Sequence, residues 1–173
     1  MVASASYMMR RAIAAILLAL LGAIGGLAIH LATAKGPTLF SGKRPENLGI
    51  HQGRLASCGR RLNCVSSQAN PGDARRYVAP IGFLGSAPDA MQAARRAVES
   101  MPGATVARQE ANYLHAEFRS RWFGFVDDVE FTYDERARQL HLRSASRLGR
   151  RDFDVNRRRV EALRSRIESG VRA

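Results

Sequence analysis

Cysteine, acid and long apolar runs are all in short supply in this chain, and each shortage narrows what it can be. Two cysteines leave a zinc module without its other ligands at recognisable spacing. A single long uncharged run excludes a multi-span membrane protein, while 46% hydrophobic and 24% charged residues exclude wholesale disorder. Acids number 15 against 27 Lys and Arg, so the formal net charge is +12. There is no glycine-rich phosphate loop, helix-turn-helix signal or aromatic platform beside that charge, and nucleic acid is therefore not the expected partner. No nucleophile elbow or oxyanion-loop pattern is present either, which counts against a hydrolase. No histidine stands at metal-ligand spacing with another, so neither metal nor cofactor is expected.

The one long run is 12–34, AIAAILLALLGAIGGLAIHLATA. At about 1.5 Å per helical residue it covers the roughly 30 Å hydrocarbon core of a bilayer. Ala32-Thr33-Ala34 is a small-x-small pattern that signal peptidase reads, so cleavage after Ala34 stands as an alternative to a retained anchor. Arg10 and Arg11 precede the run and Lys35, Lys43, Arg44 and Arg54 follow it, so charge counting alone would not export the remainder. The basic start, apolar core and cleavage-like end favour export. The expected organisation is a tail at 1–11, a transmembrane or signal-like segment at 12–34, a linker at 35–47 and one soluble domain at 48–173. The expected location is the inner membrane, single-pass, with the C-terminal domain periplasmic.

Cys58 and Cys64 lie in SCGRRLNCVSS, whose five intervening residues can close a small loop. An oxidising compartment would join them as a disulfide; a plain buried thiol, a zinc ligand or a nucleophilic Cys64 are the other readings. From 35 to about 70 the chain is rich in Gly, Ser, Pro and Asn without periodicity and reads as a stalk and an irregular lead-in. A Pro80-interrupted strand at 77–84 belongs at an edge. A helix then opens at Ser86-Ala-Pro-Asp, with Met91, Ala94, Val98 and Met101 as its apolar stripe and Pro102-Gly103 as its end. Strands are predicted at 105–109, 113–120, 126–133 and 139–146. In the last pair Val129, Phe131, Tyr133, Leu140 and Leu142 share a face, opposite Asp128, Glu130, Thr132, His141 and Arg143. A closing helix from Asp154 carries Val155, Val160, Leu163 and Ile167, with arginines on its other face. The order predicts an α+β fold: an antiparallel sheet of about five strands, β-α-β-β-β-β-α, with helices packed on one face, preceded by one N-terminal transmembrane helix.

Several separated motifs, Leu48-Gly49 with Arg54-Leu55, Cys58, Asn63-Cys64-Val65-Ser66-Ser67-Gln68, GFVDDVEF from Gly124 and RSASRLG from Arg143, resemble the bacterial and plastid family catalogued as domain of unknown function 1499. The resemblance runs over 44–167 and includes the DFDVNRRRVEAL tail. The chain departs from it at Gly59, where Pro is common, and at Arg150, Arg151 and Asp154, where Tyr, Ser and Gly are more usual. The resemblance implies an exported or membrane-attached domain without an established activity.

The candidate site is the acidic group Asp127, Asp128 and Glu130 facing Arg143, Ser144, Ser146 and Arg147 across the final hairpin. In any register an acid falls opposite or diagonal to Arg143. One reading is a surface ion pair, with Ser144 and Ser146 completing the inward face near Asp127. The other is a pocket in which Arg143 and Arg147 hold an anionic ligand, lined also by Ser66. Asp127 and Asp128 point to opposite faces and cannot form a dyad. Ser66 or Ser144 with His115 or His141 supplies the residue types of a triad and nothing more. The segment 136–173 has twelve arginines against four acids; in an exported domain anionic lipid is the available polyanion. The leading expectation is a non-enzymatic, membrane-tethered binding or envelope-maintenance module. Its partners would be the membrane, an anionic lipid or small ligand, or another envelope protein. A hydrolase and a nucleic-acid-binding protein are the alternatives.

Overall fold

The computed structural model describes residues 13, 15–22 and 40–171 of the chain. The chain divides into two units, Met1–Gly36 and Pro37–Ala173. In the first, residues 15–22 are helical, and Ile16, Leu17, Leu18, Leu20 and Leu21 are all exposed. The tail at 1–11, most of the segment at 12–34 and the start of the linker lie outside the described residues. Among the described residues no helix is long and apolar enough to cross a membrane.

The second unit is α+β. It runs β1 (Ile50–His51), β2 (Arg54–Leu55), β3 (Cys64–Ser66), β4 (Ile81–Gly82), α1 (Ala87–Glu99), β5 (Ala104–Glu110), β6 (Tyr113–Arg119), β7 (Val126–Asp134), β8 (Gln139–Ser146) and α2 (Val155–Val171). β1 and β2 pair with each other alone. The remaining strands form one antiparallel sheet in the order β3-β8-β7-β6-β5, with β4 also paired to β8. β3 is a departure from expectation, since 35–70 reads as irregular. It is a strand because Cys64, Val65 and Ser66 pair with Ala145, Ser144 and Arg143 at the free edge of β8, a partner invisible to local periodicity. The strand expected at 77–84 shrinks to Ile81–Gly82, next to Pro80, which has no N–H to give a ladder.

α1 starts where Ser86 and Asp89 form a capping box, each side chain accepting from the other's backbone N–H. Its buried face adds Ala87, Ala90 and Ala97 to Met91, Ala94 and Val98. α2 buries Asn156, Val160, Leu163 and Ile167, spaced 4, 3 and 4. Val155, expected on that stripe, is exposed, being one position out of phase. Both helices pack on the sheet face formed by Leu114, Ala116, Phe118, Val129, Phe131, Tyr133, Leu140 and Leu142.

The opposite face is shielded along its centre, while on β5 its Thr105, Arg108 and Glu110 are exposed. Val126 to Tyr133 are all buried, so β7 is covered on both sides. The cover comes from residues 40–55: Gly49 donates its N–H to Glu130 Oε1 at 2.8 Å, and Arg44 reaches Glu117. Gly49 has φ +114°, a conformation that favours glycine. The hairpin's charged side, read from the sequence as a surface, is thus a second interior.

Candidate functional site

Register divides the candidate residues between the two faces. Glu130 stands directly opposite Arg143, Asp127 opposite Ser146, and Val129 opposite Ser144. Since neighbours on a strand alternate, Asp128, Glu130, Arg143 and Ser66 share the face under residues 40–55, and Asp127, Ser144 and Ser146 share the helix face.

On the covered face the charges pair with one another, while Arg143 Nε is buried without a hydrogen-bond partner among the described residues. Arg143 Nη1 donates to Glu130 Oε2 at 2.8 Å, and Glu130 Oε1 also accepts from the Tyr113 hydroxyl at 2.8 Å. Glu130 is 0% and Arg143 7% exposed, so the expected surface pair is a buried one. Arg147 lies between two acids, donating to both oxygens of Asp128 and, at 2.5 Å, to Glu117; His115 Nε2 meets Asp128 Oδ1 at 2.8 Å. Burial works against the Asp128 charge, yet the Arg147 and His115 hydrogen bonds outweigh it and hold the carboxyl below its ordinary range. Glu117 is likewise lowered, burial being outweighed by Arg147 and Arg44. Burial and the Glu130 charge push the Tyr113 phenol far up, which keeps it a donor. Arg143 and Arg147 are therefore committed to protein carboxylates.

His115, Glu117 and Asp128 bring their ligand atoms within 4.8 Å of one another. The Arg147 guanidinium already bridges the two carboxylates there and supplies the positive charge that a cation would bring.

The helix face opens at the end of the sheet into a pocket of about 570 Å³. Its floor is Phe118, Asp127, Ser146 and Arg159, and Phe125, Leu148, Phe153 and Val155 form an exposed apolar rim. Arg159 Nη2 donates to Asp127 Oδ2 at 2.6 Å, and its guanidinium carbon lies 4.9 Å from the centre of the Phe118 ring. Behind it, Ser144 donates to Asn156 Oδ1 at 2.5 Å, and Asn156 donates to Ser146 Oγ and to the Asn63 carbonyl. Phe153 and Asp154 both have positive φ, 52° and 63°, and Phe153 is 83% exposed. A phenylalanine held so at a rim is strain of the kind that collects at binding sites. Arg119 and Arg151 also line the pocket, and Arg119 Nη1 is buried without a hydrogen-bond partner among the described residues.

The residue types of a triad do not assemble among the described residues. Ser144 is bound to Asn156 and Arg159, and Ser66 Oγ accepts from Gln68 N. The serine beside a histidine is Ser67, 3.1 Å from His141 Nδ1, and its Oγ also accepts from Leu142 N. Cys58 and Cys64 are joined in a disulfide with Cα atoms 5.6 Å apart, so neither is a free nucleophile. The pocket residues that sequence reading passed over are Arg159, Arg119, Phe125, Leu148 and Phe153. One signal was present: placing Asn156 on the buried stripe of α2 puts Arg159, three residues on, beside it.

An antiparallel α+β sheet, with one face under two helices and the other under an N-terminal cover, defines the structural class. The chain belongs to the family described as Protein of unknown function (DUF1499), whose model matches residues 54–167. No curated protein matches the chain.

Proposed function

We propose that the protein is a non-enzymatic binding module of the cell envelope, anchored in the inner membrane by a single span at 12–34 with its folded domain on the periplasmic side, and that the pocket over Asp127 and Arg159 holds a small amphiphile. The observation that carries this reading is the pocket: a cleft of about 570 Å³ whose rim is apolar and whose floor is an ion pair. That combination suits a molecule with an apolar body and a polar or anionic head. Arg119 and Arg151, added to the Asp127–Arg159 pair, favour an anionic head, and an anionic lipid is the simplest such molecule. Two further features support the location. Leu17, Leu18, Leu20 and Leu21 are exposed, as suits a helix whose solvent is lipid. The disulfide suits an oxidising compartment.

Native mass spectrometry of the full chain, extracted gently from its own membrane, should show a retained small molecule released by organic solvent. Phe153→Asn removes the aromatic rim and places at φ 52° a residue more at ease there. This variant should lose the retained molecule while its melting temperature holds or rises. A wild-type protein that is empty in every preparation would sink the reading.

A further inference from the structure

Beside the pocket mouth lies an apolar cluster that shares only Phe125 with the pocket rim. Trp122 is 79% and Phe123 63% exposed, and Phe125 is also exposed. Phe40, the first described residue of the domain, packs on this loop, 5.2 Å from Phe125 and 6.5 Å from Phe123 between ring centres. Exposed aromatics gathered in one patch mark a contact surface. We infer that this end of the domain, Phe40 with the Trp122–Phe125 loop, lies in the head-group layer of an anionic bilayer. The inference rests on the membrane-tethered reading above and names what the tethered domain touches.

Three observations select lipid as the occupant. The first is reach: Phe40 follows Ala34 by six residues, and six residues extend at most about 21 Å, so a span ending there holds Phe40 close to the interface. The second is charge. The loop 120–125 carries Arg121 and no acid, Arg121 stacks 5.3 Å over the Trp122 ring, and Arg150 and Arg151 are exposed on the neighbouring loop. These cations match anionic head groups. The third is residue type, since tryptophan with flanking arginine is the pairing that settles at a membrane interface. Phe125 lines the pocket as well as the cluster, so the pocket would open at lipid depth.

Trp122 is the chain's sole tryptophan, which makes its fluorescence a direct reading of this loop. The full chain would be reconstituted into phosphatidylglycerol-containing vesicles, with and without brominated acyl chains, and floated on a density gradient. Trp122 should emit blue-shifted, lose most of its intensity to bromolipid and resist aqueous acrylamide. R150E/R151E should restore acrylamide quenching while the protein still floats. Floating protein whose Trp122 is open to acrylamide and blind to bromolipid would overturn the surface alone. Trp122 shielded from both quenchers would assign the cluster to a protein contact and overturn it too. Protein that does not float would overturn the surface together with the tether.

Discussion

Glu130 and Arg143 show what a single pair means once its surroundings are known. Both are buried, and Glu130 also holds the Tyr113 hydroxyl and the Gly49 N–H. Removing one partner of such a pair strands the other charge, so Arg143→Ala should lower the unfolding free energy by about 3–5 kcal/mol in a urea titration. E130Q/R143M keeps an acceptor for Gly49 and Tyr113 and removes both charges, so it should recover most of that loss. A cost for Arg143→Ala below about 1 kcal/mol would mean that the pair behaves as a surface one. That an acid would stand opposite or diagonal to Arg143 was legible in the alternation of the hairpin, because strand period and a short turn leave few registers; that it is Glu130 was not. Its depth was not, because the Gly49 that covers Glu130 lies 81 residues earlier.

The same network sets a response to acid. Asp128 and Glu117 have folded-state values below their ordinary 3.8 and 4.5. The unfolded chain therefore binds more protons as pH falls, and the stabilisation present at neutral pH is lost below about pH 4.5. His141 is lowered from 6.5, chiefly by burial, so its protonation also favours unfolding and begins the decline below that value. Urea midpoints measured from pH 7 to pH 3 should fall gently at first and then steeply. A flat profile would show that these carboxylates are not held as described.

Edges and helical phase account for the departures among strands and helices. β3 exists because the disulfide-bonded segment completes the β8 edge, with Ser66 N also accepted by Arg76 O and Ser67 N by Leu142 O. Nothing in Gly59–Arg60–Arg61 announces a neighbouring strand. In α2, two arginines of the face opposite the apolar stripe turn back onto the fold: Arg157 donates to Ala74 O and Tyr77 O, and Arg164 to Pro80 O. A run of arginines reads alike whether it meets water or such loop carbonyls. Breaking the Cys58–Cys64 link by reduction, or by C58S/C64S, should cost about 2 kcal/mol, the loop-closure value for so short a ring. Alkylation of protein taken directly from cells should leave both sulfurs unlabelled until reductant is added. Labelling without reductant would place the domain in a reducing compartment.

For the whole molecule, the apolar 12–34 stretch and the α+β order of the last hundred residues were readable in advance, because length and period carry them. The pocket was not, because Phe118, Asp127, Ser146 and Arg159 come from three strands and a helix whose meeting is a property of packing. The family model's match begins at Arg54, but the polar groups that quench the second interior begin earlier, at Arg44 and Gly49, within the stretch where the sequence resemblance starts. The matched region alone is thus shorter than the self-sufficient body of this protein. A fragment trimmed to 54–167 would expose Glu117 and Glu130 to a solvent they are not arranged to meet. It should unfold at least about 2 kcal/mol more readily than one spanning 40–171. Equal melting of the two fragments would show that residues 40–53 are an ornament on the sheet and no part of its foundation.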